Sequence, residues 1–178
     1  MGIAEQNAVC CAAGLASCGL IPLVVTYAGF LTMRACEQVR TFVAYPGLNV
    51  KLIGADGGIG AGEREGVTHR FFEDIGILRS IPGITVVVPA DAMQVAEAVK
   101  TVVYTKGPAH VRIGSGRDPV TFRDPVPFRP GKARILREDG SDVSIFANGF
   151  ILPRALRAAE LVGRFSAVRR RSAALERA

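Results

Sequence analysis

The residue types most suited to chemistry stand near the start of this chain, in Gly2-Ile3-Ala4-Glu5-Gln6-Asn7. Glu5 heads a run of Ala, Cys, Val and Leu from Ala8 to Leu15 that leaves almost no polar face. A helix apolar nearly all round is expected to be buried, which carries its leading carboxylate toward the interior. A buried carboxylate is costly unless something specific pairs with it, so Glu5 is a candidate proton donor or acceptor. The plainer reading is a first-turn acid favoured by the helix dipole. A second group of polar residues lies in the glycine-rich loop 55–68 and just after it: Asp56, Glu63, Glu65 and His69. A phosphate-cradling P-loop would need Gly-Lys-Ser/Thr after the glycines, and none follows.

The elements that must position these groups alternate. A helix over 3–18 is predicted to stop at Gly19. Residues 21–27 (IPLVVTY) form a β-branched run, expected to be a strand covered on both faces. Residues 30–44 repeat apolar positions at Leu31, Cys36, Val39 and Val43 with Arg34, Glu37 and Arg40 between, an amphipathic helix closed by Pro46. Strands are predicted at 49–54, 84–88 and 110–113, and helices at 72–79 and 92–103, the last capped by Asp91. Strands alternating with helices predict an α/β parallel sheet. Its site should lie beyond the carboxyl ends of the strands, where the loops after Tyr27, Gly54 and Val88 meet.

Composition bounds the rest. The chain has 178 residues, 49% apolar and 21% charged, which supports a real core. Its four cysteines lack CxxC spacing and are read as small core residues of a reducing cytoplasm rather than disulfides or zinc ligands. No basic flank precedes the first apolar run, so a secretory leader is not expected. The longest apolar stretch, 20–31, contains Pro22 and Gly29 and is too short to span a bilayer. The formal charge is +6, but residues 164–178 carry five arginines against one glutamate. A basic face for nucleic acid on the folded part is therefore not expected. Residues 118–132, with four prolines, read as a stiff linker. Beyond it, strands at 133–137 and 142–146 and a helix at 151–162 open a second unit, and no further strand is expected in 164–178.

GIAEQN, VVTYAGFLTMRACEQVR, GIGAGEREGVTH and ILRSIPGITVVVPAD together resemble the pyrimidine-binding domain of transketolase. The closest resemblance is to the C-terminal subunit of split bacterial transketolases, and it runs over residues 1–162. It implies an α/β parallel sheet flanked by helices, with a pyrimidine-binding domain over 1–117, the linker, part of a C-terminal domain over 133–163 and a basic tail over 164–178. It also implies thiamine diphosphate, shared with an N-terminal partner subunit that carries the diphosphate and Mg²⁺ site, in a homodimer or heterotetramer acting on sugar phosphates. In that family a glutamate bonds the aminopyrimidine ring nitrogen and favours the imino form, which deprotonates the thiazolium carbon; Glu5 stands there. Tyr27, Phe30 and Met33 match the aromatic pocket, Met33 replacing an aromatic ring. His69 matches the substrate-side histidine, and Glu65 an acid that reads a substrate hydroxyl. Asp56 stands where many members have a histidine, and Ser115 where many have a phosphate-clamping arginine, which leaves Arg117 as the candidate clamp, with Arg112 on the other flank.

The family's domain has a strand and helix before GIAEQN, and its pattern dissolves near Gly163, so the chain reads as truncated or frame-shifted at both ends. The expected activity is two-carbon ketol transfer. The alternatives are a non-catalytic remnant, a 1-deoxyxylulose-5-phosphate synthase-like or 2-oxo acid dehydrogenase β-like subunit, and, last, a nucleotide- or flavin-binding module.

Overall fold

A computed structural model describes residues 1–60, 65–138, 143–165 and 170–174, the backbone only from 163 onward. Helix α1 spans Glu5–Ser17 and is followed by strand β1, Leu23–Tyr27. The segment predicted as one helix is instead a π-turn, Phe30–Arg34, a short α2, Cys36–Gln38, and a second π-turn, Val39–Ala44. Bonds from Ala35 N to Phe30 O and from Tyr45 N to Arg40 O close the two wide turns. Such bulges shift the helical phase by a residue and gather at functional sites. Strand β2 (Lys51–Ala55), α3 (Asp74–Arg79), β3 (Thr85–Val87), α4 (Ala92–Tyr104) and β4 (Ala109–Arg112) complete the first unit.

The four strands are all parallel, in the order β1-β2-β4-β3. Parallel pairing points every carboxyl end to one edge, as the alternation required. Central β2 is buried from Lys51 to Gly54. Its Lys51 is the costly group: Nζ donates to Thr105 O and Gly107 O, each at 2.7 Å, just past the end of α4. An ammonium suits the carbonyl end of a helix, and burial pushes its pKa down. One apolar cluster packs α1, the broken helix and α3 on one face; a second packs α4 and Phe128 on the other.

Three expectations need correction. Helix α1 buries one face only, through Glu5, Val9, Ala12 and Ala13, while Leu15 is exposed. Cys10 and Cys18 are exposed and Cys11 half-buried, while half-buried Cys36 packs against the first apolar cluster, so the core reading holds for Cys36 and fails for Cys10 and Cys18. Strand β1 pairs on one side only and leaves Val25 65% exposed. Its β-branched composition came from strand propensity, not from cover on two faces.

Residues 118–132 have no regular structure, yet they are held. Asp91 caps α4 by accepting from Gln94 N at 2.9 Å, and its other oxygen accepts from Thr121 N and Phe122 N at 2.8 and 2.7 Å. Val126 and Phe128 are buried. Strands β5 (Arg134–Glu138) and β6 (Val143–Ala147) then lead to α5 (Leu152–Phe165). Contrary to expectation the basic tail supplies a strand, β7 (Arg170–Ala174), antiparallel to β5 and parallel to β6. Helix α5 is the crossover that returns the chain beside β6, a connection no local pattern in the tail announces. The rest of the tail, 166–169 and 175–178, lies outside the described residues.

Candidate functional site

Glu5 is 5% exposed, at the start of α1 beside the end of β1. The Thr26 hydroxyl donates to its Oε1 at 3.4 Å, and Arg34 Nη1 donates to its Oε2 at 2.8 Å. Burial pushes the carboxyl up, but the Arg34 hydrogen bond, the backbone N–H bond at Glu5, the Arg34 charge and the Thr26 hydroxyl together outweigh it and leave Glu5 below its ordinary 4.5. Glu5 is therefore ionised at neutral pH in this state. The buried carboxylate inferred from the sequence is present, and its partner is an arginine from the first π-turn.

Four rings meet next to it. Tyr27 and Phe30 stand edge to face with centroids 5.7 Å apart, and His69 completes the triangle at 5.1 and 5.2 Å. Phe71 packs on Phe30 at 5.2 Å from behind. Offset and edge-on pairs of this kind favour a rigid cluster. Gly29 makes it possible, since a Cβ there would fall within the Phe71 ring. A 3₁₀ turn over Val67–His69 presents His69, and Thr68 Oγ1 lies 3.0 Å from its Nδ1. The Arg34 guanidinium lies 3.9 Å over the Phe30 ring centroid, a cation–π contact. Arg34 was missed in the sequence, where it counted as one polar position of an amphipathic helix. The available signal was its spacing of four residues from Phe30, which puts two side chains on one helical face.

The substrate-side candidates form a looser, acidic group after β2. Asp56 adopts φ 53°, the sole left-handed non-glycine among the described residues. Burial raises its pKa, as do the charges of Glu65 and Asp118, while Arg117 and His69 pull it down. Asp56 thus lies within charge range of Glu65, Arg117 and His69. Glu63 lies outside the described residues. Met33 is 43% exposed and follows Phe30 on the first π-turn. Arg112 is committed elsewhere: Nη2 donates to Phe71 O and Asp74 Oδ1 at 3.0 Å each, and Nε sits 2.8 Å from Asp74 Oδ2. That pair braces Phe71 beneath the cluster and leaves Arg112 unavailable as a phosphate clamp.

A carboxylate at the head of a helix and aromatic rings at the carboxyl edge of a parallel sheet place the candidate site where α/β domains bind their ligands. Residues 1–117 match the family described as the transketolase pyrimidine-binding domain, and the chain belongs to the transketolase family. It is 44% identical over 162 residues to the 6-deoxy-6-sulfo-D-fructose transketolase subunit SqwH of Clostridium sp. (strain MSTE9), covering 90% of this chain and 49% of that one. It is 39% identical to a putative transketolase C-terminal section of Methanocaldococcus jannaschii, covering 90% and 51%. A 1-deoxy-D-xylulose-5-phosphate synthase of Desulforudis audaxviator is 40% identical, but the match covers 25% of that enzyme. Among solved structures, a split gene transketolase in an inactive β4 tetramer superposes with TM-score 0.88 at 36% identity, over 98% of this chain and 56% of that one. A Campylobacter jejuni transketolase shares the fold, with TM-score 0.80 at 18% identity over 96% and 27%. The chain spans about half the length of the two transketolase-subunit relatives. Membership of the family implies dependence on thiamine diphosphate. Among the described residues no helix is long and apolar enough to cross a membrane.

Proposed function

We propose that this chain is the pyrimidine-side subunit of a split transketolase, acting with an N-terminal subunit that binds the diphosphate and Mg²⁺. In this reading β5 to β7 and α5 belong to the family's C-terminal domain. The observation that carries the proposal is the buried Glu5 carboxylate next to the Tyr27–Phe30–His69 cluster. The aminopyrimidine is a flat, weakly basic ring, and these residues suit it. Phe30 and Tyr27 offer aromatic faces and edges, and Glu5 offers a carboxyl in a water-poor place. A group so buried changes protonation readily with its neighbours.

Thiamine diphosphate, when bound, supplies the electron sink for making and breaking a carbon–carbon bond. The chain's part is narrower. Glu5 holds a proton at its Oε2 for the ring nitrogen, and Thr26 fixes the other oxygen by hydrogen bonding. His69 faces the substrate and moves a proton at its imidazole. Asp56 and Glu65 accept from substrate hydroxyls, and Arg117 attracts a phosphate. Met33 packs at the rim.

The test is reconstitution. The full chain is mixed with a candidate N-terminal subunit, thiamine diphosphate and Mg²⁺, and ketol transfer from a ketose phosphate is measured. Turnover that Glu5→Ala abolishes supports the proposal. Turnover that survives Glu5→Ala removes Glu5 from the chemistry. Failure of every partner to give turnover favours a non-catalytic chain that keeps only the family's surface.

A further inference from the structure

The flat cation beside Glu5 comes from the chain itself. Arg34 leaves the same π-turn as Phe30, which places its guanidinium over that ring and against Glu5 Oε2. A guanidinium is planar, delocalised and donor-only. An aminopyrimidine stacked on Phe30 with a nitrogen toward Glu5 needs the same ring face and the same oxygen. One face and one oxygen cannot serve both groups at once. We propose that Arg34 is the gate of the aminopyrimidine slot: its guanidinium fills the place between Phe30 and Glu5 in the free chain and swings to solvent when the ring enters. The gate rests on the reading of Glu5 given above.

Two observations make the exchange feasible. The Arg34 side chain is 44% exposed, so the departing cation regains water at once. The Glu5 side of the pair is only 6% exposed, so the guanidinium leaves as the incoming ring nitrogen takes its place on Oε2 rather than leaving the carboxylate bare. The exchange also changes the charge of the slot. Glu5 faces Arg34 from the π-turn and the Thr26 hydroxyl from β1. With the guanidinium gone, burial of the carboxylate, the largest influence on it, stands against only the backbone N–H bond at Glu5 and the Thr26 hydroxyl, and Glu5 takes up a proton from solvent at Oε2. Ring entry is thereby coupled to gain of the proton that the ring nitrogen shares. Arg34 controls access; it forms no part of the reacting group.

The test is titration of the full chain with 4-amino-2-methylpyrimidine, followed by protein amide chemical shifts. Arg34→Ala should bind the ring about threefold to tenfold more tightly than the parent, the scale of a cation–π contact that no longer competes with the ring for Phe30. Millimolar methylguanidinium should return Arg34→Ala toward parental affinity by refilling the vacated place, which a merely structural arginine would not predict. Equal or weaker binding by Arg34→Ala, no binding by it at all, or indifference to methylguanidinium overturns the gate. Glu5→Gln separates the two ideas. If it binds as well as the parent, the reading of Glu5 fails. If it loses binding while Arg34→Ala shows no gain, only the gate fails.

Discussion

The imidazole of His69 meets the ring of Tyr27 at 84°, with centroids 5.1 Å apart. Tyr27 ends β1 and His69 comes from the loop that follows β2, so the parallel pairing of the two strands brings them to one edge. His69 is half-buried and sits in a short 3₁₀ turn, so the fold needs it little. In the reconstituted enzyme His69→Ala should lower kcat/KM by about tenfold or more, the scale of a lost proton-transfer group. Its unfolding midpoint in urea should stay near the parent's. A large loss of stability with unchanged kcat/KM would make His69 a packing residue.

Gly29 is the narrowest point under the cluster. A Cβ there would overlap the Phe71 ring, and Phe71 in turn supports Phe30. Gly29→Ala should destabilise the chain by about 1–3 kcal/mol through overpacking. Urea unfolding measures the loss, and aromatic chemical shifts of Phe30 and Tyr27 report the displaced rings. Parental stability would show that the ring has room to move.

His110 lies in β4, fully buried against Gly54, with no hydrogen-bond partner for either ring nitrogen among the described residues. Burial, and then the charge of Arg112, push its pKa down to about 3 from 6.5. Between those values the unfolded chain binds a proton that the folded chain refuses. Its contribution is therefore intact above pH 6.5 and is lost as pH falls toward 3. The slope is about 1.4 kcal/mol per pH unit. His110→Leu should flatten the stability profile between pH 6.5 and 5, measured by urea unfolding at several pH values. Parallel profiles for the two proteins would contradict the burial argument.

Asp91 holds the proline-rich segment to α4 through Thr121 N and Phe122 N while capping the helix through Gln94 N. Asp91→Ala removes all three bonds and should cost about 2–4 kcal/mol, more than a cap alone. Limited proteolysis should then cut within 118–132 much faster than in the parent. Unchanged cleavage would mean that buried Val126 and Phe128 hold the segment without help.

Much of this protein is fixed by local pattern. The alternation of β-branched runs with amphipathic stretches specifies a parallel α/β sheet, because strand and helix periods differ and neither segment satisfies the other. Asp91 before an apolar run specifies a cap, and the apolar run after Glu5 specifies a carboxylate near the interior. Position in the assembled sheet is another matter. That β1 lies at an edge, that α1 buries one face only and that Cys10 and Cys18 face outward depend on which neighbours arrive, which no window of sequence contains. The same holds for β7, whose place between β5 and β6 follows from the crossover through α5. Arg34 marks the boundary most clearly. Its spacing from Phe30 is written in the chain, but its meeting with Glu5 requires α1 and the π-turn to pack together. An ion pair across 29 residues is a product of tertiary contact, and only the folded chain could reveal it.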